Sequence, residues 1–388
     1  MAGRHLGTSA RGRRALSKAT GRAGVAVLLA AVIAAICTAA FAADGRLQPL
    51  CIDPTGISVS GISSGGFMAN QFHVAHSARV MGAGIFAAGP YLCAGSDYPE
   101  SLSRALAVCS HFGPGPFLGP PDARRSIAAI RAGAASHVID DPANLRSDNV
   151  FLFSGRLDTL VPTSVMDALA TVYRAFVDER HIAYVTDIDS AHAMVTTAFG
   201  NACDTSKAPF VNRCGYDLAG AVLRHIYGPL APPIQADGKL AVFDQTEFVD
   251  PAKTHGLAER GYEYVPKGCT EHRGCRLHVA FHGCLQNADA VGDAFYGHAG
   301  YNEWAEANDI VVLYPQAAPV LRRLIGMPLE WPNPQGCWDW WGFTGENFAT
   351  KSGAQISAVN AMIDRIAGNA AVSGSSAPGS SCAPASGG

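Results

Sequence analysis

Three residues of this chain have the types and the order that nucleophilic acyl chemistry requires: Ser63, Asp158 and His192. Ser63 is the centre of Gly61-Ile62-Ser63-Ser64-Gly65, a Gly-x-Ser-x-Gly run between an alternating β-type segment and a stretch from Phe67 to Ser77 that reads as a helix. A tight strand-to-helix turn of that kind leaves no room for side chains at the two glycines and pushes the serine hydroxyl outward. It also places the Ser64 N–H at a helix N-terminus, where it can face a developing oxyanion. A serine hydroxyl is a weak nucleophile near neutral pH and needs an imidazole base whose tautomer a carboxylate holds. Asp158 lies in a Gly-x-x-Asp-x-x-Val-Pro turn directly after the apolar run Val150–Phe153. His192 follows the next apolar run on a loop, Asp189-Ser190-Ala191-His192. Asp187 and Asp189 read as solvated carboxylates at a strand end, because the acid of such a set comes from the preceding strand.

The elements that must position these groups alternate. Buried-strand runs at 80–88, 150–153, 183–188, 277–281 and 310–314 are interleaved with amphipathic helical stretches at 124–133, 165–179, 218–226, 298–307 and 354–366. That pattern predicts a doubly wound, mostly parallel α/β sheet. The Pro-rich segment 228–238 reads as an excursion within one domain, with strands following it at once.

A second oxyanion donor is expected on a loop after a strand that ends in His-Gly, ahead of the nucleophile in the order of an α/β-hydrolase. Residues 44–56 are too few to supply it. The segment that fits is downstream, Leu277-His278-Val279-Ala280-Phe281-His282-Gly283-Cys284. Joining the end of the last helix to residue 44 restores the ordinary order. The expectation is therefore a circularly permuted α/β-hydrolase, which compact domains with neighbouring termini tolerate.

Residues 1–43 stand apart from this fold. Six basic residues precede an apolar run, Val25–Ala43, that ends in Ala40-Phe41-Ala42. This reads as a signal peptide cut near Ala42, with Arg13-Arg14 open to either general or twin-arginine export. Its removal leaves 23 basic against 32 acidic residues, about −9, which argues against nucleic acid or anionic membranes as partners. The expected product is a secreted or periplasmic protein with a catalytic domain over 44–368 and an Ala/Ser/Gly/Pro tail over 369–388. Ten cysteines remain and none forms Cys-x-x-Cys, so a disulfide framework is expected and a zinc ribbon is not. The close pairs Cys203/Cys214 and Cys269/Cys275 look like local staples. The other histidines, His73, His76, His111 and His282 among them, share no ligand spacing, so neither metal nor cofactor is expected.

The combination GISSGG, SGRLDTLVP, DSAH, LHVAFHGCLQ, DIVVLYPQ and GCWDWWGF resembles secreted poly(3-hydroxybutyrate) depolymerases of the single-domain, circularly permuted kind, over residues 50–367. The resemblance implies Ser63 as nucleophile, Asp158 as acid and His192 as base, with the N–H groups of Ser64 and Cys284 as oxyanion hole. It implies Cys284–Cys337, fits Cys203–Cys214 and Cys269–Cys275, and extends more loosely to Cys93–Cys109. Cys51 and Cys382 are left over. Four of the five tryptophans fall at Trp331, Trp338, Trp340 and Trp341. Beside the oxyanion loop such a cluster suggests an apolar wall for an aliphatic polyester, with Trp338 singled out by the resemblance and Trp341 next to it. The implied activity is hydrolysis of poly(3-hydroxybutyrate) or its oligomers by a monomer. The alternatives are a feruloyl- or acetylxylan-type carbohydrate esterase, and a non-catalytic protein that adsorbs to polymer.

Overall fold

The computed structural model describes residues 45–368 apart from 114, 272–273 and 323–329. The expected signal peptide and cleavage site, the tail and Cys382 lie outside the described residues, as does the Trp331 side chain.

Eight strands form the main sheet: β1 (Ile57–Ile62), β2 (Gly82–Phe86), β3 (Asn149–Phe153), β4 (Ile182–Val185), β5 (Lys239–Asp244), β6 (Arg260–Val265), β7 (Arg276–Phe281) and β8 (Ile310–Tyr314). Their spatial order is β4-β3-β2-β1-β7-β8-β6-β5. All neighbours run parallel except β6, which is antiparallel to both β8 and β5. Helices α1 (Ser64–Ala75), α2 (Glu100–Ala107), α3 (Ala123–Ala135), α4 (Thr163–Arg174), α5 (Leu218–Tyr227), α6 (Tyr301–Asn308) and α7 (Ala354–Ala367) surround it. One apolar core joins Ile57, Val59, Leu277 and Val279 to side chains of α1, α4 and α7. The other joins Phe151, Phe153, Val312 and Tyr314 to α5 and α6. The sheet is thus covered on both faces, as a parallel sheet must be.

The backbone N–H groups of Leu50 and Cys51 both donate to Ile366 O, at 2.8 and 3.1 Å, so the end of α7 lies beside the segment leading into β1. Passing through that junction from β5 gives the order β5, β6, β7, β8, β1, β2, β3, β4. In it the His-Gly strand β7 precedes the nucleophile strand β1. The fold is a circularly permuted α/β-hydrolase.

The serines that alternate with apolar residues on β1 do not face water. Ser58 and Ser60 are completely buried, and their hydroxyls bond the two ring nitrogens of His278 on β7, each at 2.7 Å. Tyr227 and Tyr301 extend the chain at either end, each at 2.6 Å, so every polar group buried there has a partner. Burial pushes the His278 imidazole down to about 3, which keeps it neutral.

Candidate active site

The elbow is made by packing. A Cβ added to Gly61 would lie 2.2 Å from Gly65 O, and one added to Gly65 would lie 2.3 Å from Phe281 O on β7. With both positions stripped, β1 can turn at once into α1, and Ser63 is held at φ 57°, ψ −125°. That left-handed backbone is strained for a residue with a side chain, at about 1–3 kcal/mol. It is held from both sides, by Ser63 N–H to Phe86 O at 2.9 Å and Phe67 N–H to Ser63 O at 3.0 Å.

Asp158 lies in the turn beyond β3. Its Oδ1 accepts the N–H groups of Leu160 and Val161, both at 2.9 Å, which leaves Oδ2 to accept from His192 Nδ1 at 2.7 Å. Both side chains are buried, with the carboxyl almost wholly out of solvent. With Nδ1 committed to Asp158, Nε2 is the nitrogen free to take a proton. The His192 backbone is held by its N–H to Ser206 Oγ at 3.1 Å, inside a lobe closed by the Cys203–Cys214 disulfide. Asp189, by contrast, is exposed and paired with Arg156 at 3.0 Å.

Ser63 and His192 line one small cavity of about 30 Å³, together with Gly283, Cys284, Phe210 and Gln286. The loop after β7 lies directly against Ser63, since a Cβ on Gly283 would sit 3.3 Å from Ser63 Cβ. Ser64 is the first residue of α1, so its N–H has no partner within the helix. Cys284 is bridged to Cys337, and disulfides also join Cys93–Cys109 and Cys269–Cys275. Cys51 is disulfide-bonded as well.

An apolar cleft of about 220 Å³ opens from Ser63, walled by Phe67, Leu102, Phe112, Val161, Trp340 and Trp341. Among the described residues no Asp, Glu, Lys or Arg lines the cleft or the cavity. A larger hollow of about 280 Å³ near Arg260 and Asn287 is lined by neither a serine nor a histidine among the described residues. Among the described residues the one group of three gathered metal-ligand types is Cys269, Cys275 and Asp309, whose sulfurs are bonded to each other.

The tryptophans divide differently from the expectation. Trp341 lines the cleft, but Trp338 does not: it is 0% exposed and packs edge-on against Phe281, with ring centroids 5.0 Å apart, beneath the oxyanion loop. The bridge to Cys284 fixes the backbone beside Cys337, and the ring of Trp338 turns inward to pack on Phe281 and His282. Asp339 then reverses the chain, with Oδ1 accepting the N–H groups of Trp341, Gly342 and Phe343, and Oδ2 that of Thr344 and its hydroxyl. Burial pushes this carboxyl up, and the donors pull against that shift. Within that turn Trp340 stacks over Phe67 at 4.1 Å. Trp340 was legible only as a member of the cluster; its place after a buried Asp in Trp-Asp-Trp-Trp was the available signal.

No family model matches the chain. Among curated proteins, a poly(3-hydroxybutyrate) depolymerase of Delftia acidovorans is 42% identical over 327 residues, 83% of this chain and 61% of that protein. A polyhydroxybutyrate depolymerase of Talaromyces funiculosus is 34% identical over 336 residues, 84% of this chain and 94% of that protein. The chain therefore spans less than two thirds of the Delftia protein and nearly all of the fungal one. Among solved structures, a PHB depolymerase complexed with an R3HB trimer superposes with a TM-score of 0.74 at 33% identity, over 84% of this chain and 99% of that one. The PHB depolymerase from Penicillium funiculosum does so at 0.73, with the same identity and coverage. Sequence and fold agree over the catalytic body, and the chain belongs to the poly(3-hydroxybutyrate) depolymerase family.

Proposed function

We propose that this protein is an exported serine esterase that hydrolyses poly(3-hydroxybutyrate) or its oligomers. The observation that carries the reading is a Ser63–His192–Asp158 set opening onto an apolar, aromatic cleft with no charged side chain among the described residues that line it. A neutral aliphatic polyester offers methyl and methylene groups to bury and no charge to grip. Each Å² of apolar surface covered by Trp340, Trp341 or Phe67 contributes roughly 25 cal/mol.

Ser63 Oγ attacks the ester carbonyl carbon as its proton passes to His192 Nε2. The carbonyl π pair moves onto oxygen, facing the N–H groups of Ser64 and Cys284. Asp158 holds the imidazolium that forms. Collapse of the adduct breaks the C–O bond to the leaving hydroxyacid end, which takes the proton from His192. Water repeats the sequence on the acyl-serine.

The cleft walls favour this reading over a carbohydrate esterase, because sugar rings call for polar partners around the scissile group. The disulfides support work in an oxidising compartment, after loss of residues 1–43 near Ala42, and we infer a monomer. Ser63→Ala should lower the clearing of polymer granules and the hydrolysis of a soluble aryl butyrate by about 10⁴-fold or more, with adsorption to granules retained. A folded Ser63→Ala protein with near-normal turnover on either substrate would refute the mechanism.

A further inference from the structure

Both polar groups of Gly283, the residue that abuts the nucleophile, are held by side chains that the mechanism above does not use. Its N–H donates to Gln286 Oε1 at 2.7 Å, and its carbonyl accepts from His282 Nδ1 at 2.7 Å. Both side chains are buried, and each is fixed in turn by backbone. Gln286 Nε2 donates to Phe210 O at 2.8 Å and Pro209 O at 3.3 Å. With an N–H at one end and two carbonyls at the other, only one orientation of the carboxamide satisfies every group. His282 Nε2 accepts the Ala317 N–H at 3.0 Å, so that nitrogen carries the lone pair and Nδ1 carries the proton. Burial pushes this imidazole down to about 4, in keeping with the neutral tautomer.

A trans peptide carries its C=O and the following N–H on opposite sides. Drawing Gly283 O toward the buried His282 ring therefore turns the Cys284 N–H the other way, to the side where Gly283, Cys284 and Ser63 line the cavity. The Phe210 carbonyl adds a second constraint. Phe210 lines the same cavity as His192, and its carbonyl also accepts the Met194 N–H at 2.8 Å, two residues past the base. One carboxamide thus ties the oxyanion loop to the lobe that carries the base.

We propose that Gln286, acting with His282, is a positioning residue for ester hydrolysis: it fixes the Gly283–Cys284 peptide so that the Cys284 N–H meets the oxyanion of the Ser63 adduct. The inference rests on Ser63 being the nucleophile. It differs from a packing role in what it does to rate. An oxyanion donor acts in the transition state, so misplacing it lowers kcat and leaves substrate binding alone.

Three variants test it on a soluble aryl butyrate, with melting temperatures measured alongside. Gln286→Met keeps volume and removes all three carboxamide hydrogen bonds; kcat should fall about 10- to 100-fold with KM within about twofold. Gln286→Glu supplies a pH signature. Ionised, it accepts from Gly283 but repels the Phe210 carbonyl; protonated, it donates there again. The ratio of wild-type to Gln286→Glu activity should therefore shrink as pH falls from 8 toward 5.5. Wild-type kcat in Gln286→Met overturns the proposal. Should that variant fail to fold, a pH-independent ratio for Gln286→Glu overturns it instead. Ser63→Ala separates the two readings: an inactive Ser63→Ala beside unimpaired Gln286 variants sinks the positioning role alone, and an active Ser63→Ala sinks both.

Discussion

The two N–H groups proposed to meet the oxyanion of the Ser63 adduct, those of Ser64 and Cys284, are held in place by opposite means. Ser64 presents its N–H from a turn made of absences: Gly61 and Gly65 leave no atoms where the strand, the helix and β7 touch. Cys284 presents its N–H from a loop made of additions: two buried polar side chains, a disulfide and the Trp338 ring beneath. The first half is rigid because nothing else fits, so it has few graded failure modes. The second is a sum of separable contacts, each of which can be removed with the fold intact. Strained backbone sits where packing over-determines it, and hydrogen-bonded backbone sits where the site must be adjusted.

The sharpest way to break the first half is Gly65→Ala. The added carbon would lie 2.3–2.4 Å from the carbonyl oxygens of Phe281 and His282, which are backbone atoms that cannot swing aside. We expect a loss of about 3 kcal/mol or more of stability, and no activity in whatever folds. A well-folded, active Gly65→Ala protein would mean that the elbow tolerates movement that its contacts forbid.

The second half should yield in steps. Replacing both Cys284 and Cys337 by Ala opens a loop with a sequence separation of 53, worth about 4 kcal/mol in the chain-entropy model. In a chain of this size that corresponds to a fall of about 6 °C in melting temperature. Activity measured well below the transition should still drop, by about 10-fold, because the loop keeps its side-chain bonds and loses only its covalent tie. If activity follows the folded fraction alone, the bridge stabilises without positioning.

The same contrast explains what was legible in the sequence. Gly61, Ser63 and Gly65 declare themselves, since a turn that excludes side chains must be written in glycine. Asp158 and His192 follow from their places after apolar runs. Strand 310–314 and helix 354–366 come within a residue of β8 and α7, because both are apolar at one clear period. Less visible were the elements with mixed patterns. β6 reads Arg-Gly-Tyr-Glu-Tyr-Val and buries its Glu263, while β5 exposes Leu240 and Val242, so neither strand shows a polar and an apolar face. Helix α2 has just two buried residues, Ser101 and Ala105. The run 165–179 stops at Arg174, and 298–307 starts only at Tyr301. Gln286, His282 and Asp339 were missed for one reason: each serves backbone groups brought to it by tertiary folding, and that leaves no periodicity. Trp338 went wrong for a related reason, since adjacency to Cys337 fixes its backbone and not the direction of its ring.

Acid is the gentlest probe of the contrast, because it works on buried imidazoles in both halves: His282 beneath Gly283, His278 against the β1 serines and His76 at the end of α1. Burial holds His282 and His76 down to about 4 and His278 to about 3, against an ordinary 6.5. As pH falls below 6.5 the unfolded chain takes up three protons that the folded chain refuses, so these groups favour unfolding on acidification. Glu263 acts in the opposite sense. Burial raises its carboxyl to about 8, so the fold keeps a proton that the unfolded chain loses above about 4.5. Between pH 4.5 and 6.5 the balance is about two protons, and stability should fall on acidification by roughly 2–3 kcal/mol per pH unit at most. From 6.5 to 8 Glu263 acts alone, and stability should decline gently as pH rises. Urea midpoints at pH 5, 6.5 and 8 should therefore peak near 6.5, and Glu263→Gln should flatten the upper limb and steepen the lower one, where the three imidazoles then act unopposed. Equal midpoints at pH 5 and 6.5 would mean that the buried imidazoles accept protons within the fold. His282 would then gain a proton on Nε2, lose the Ala317 N–H, and release the oxyanion loop without unfolding the elbow beside it.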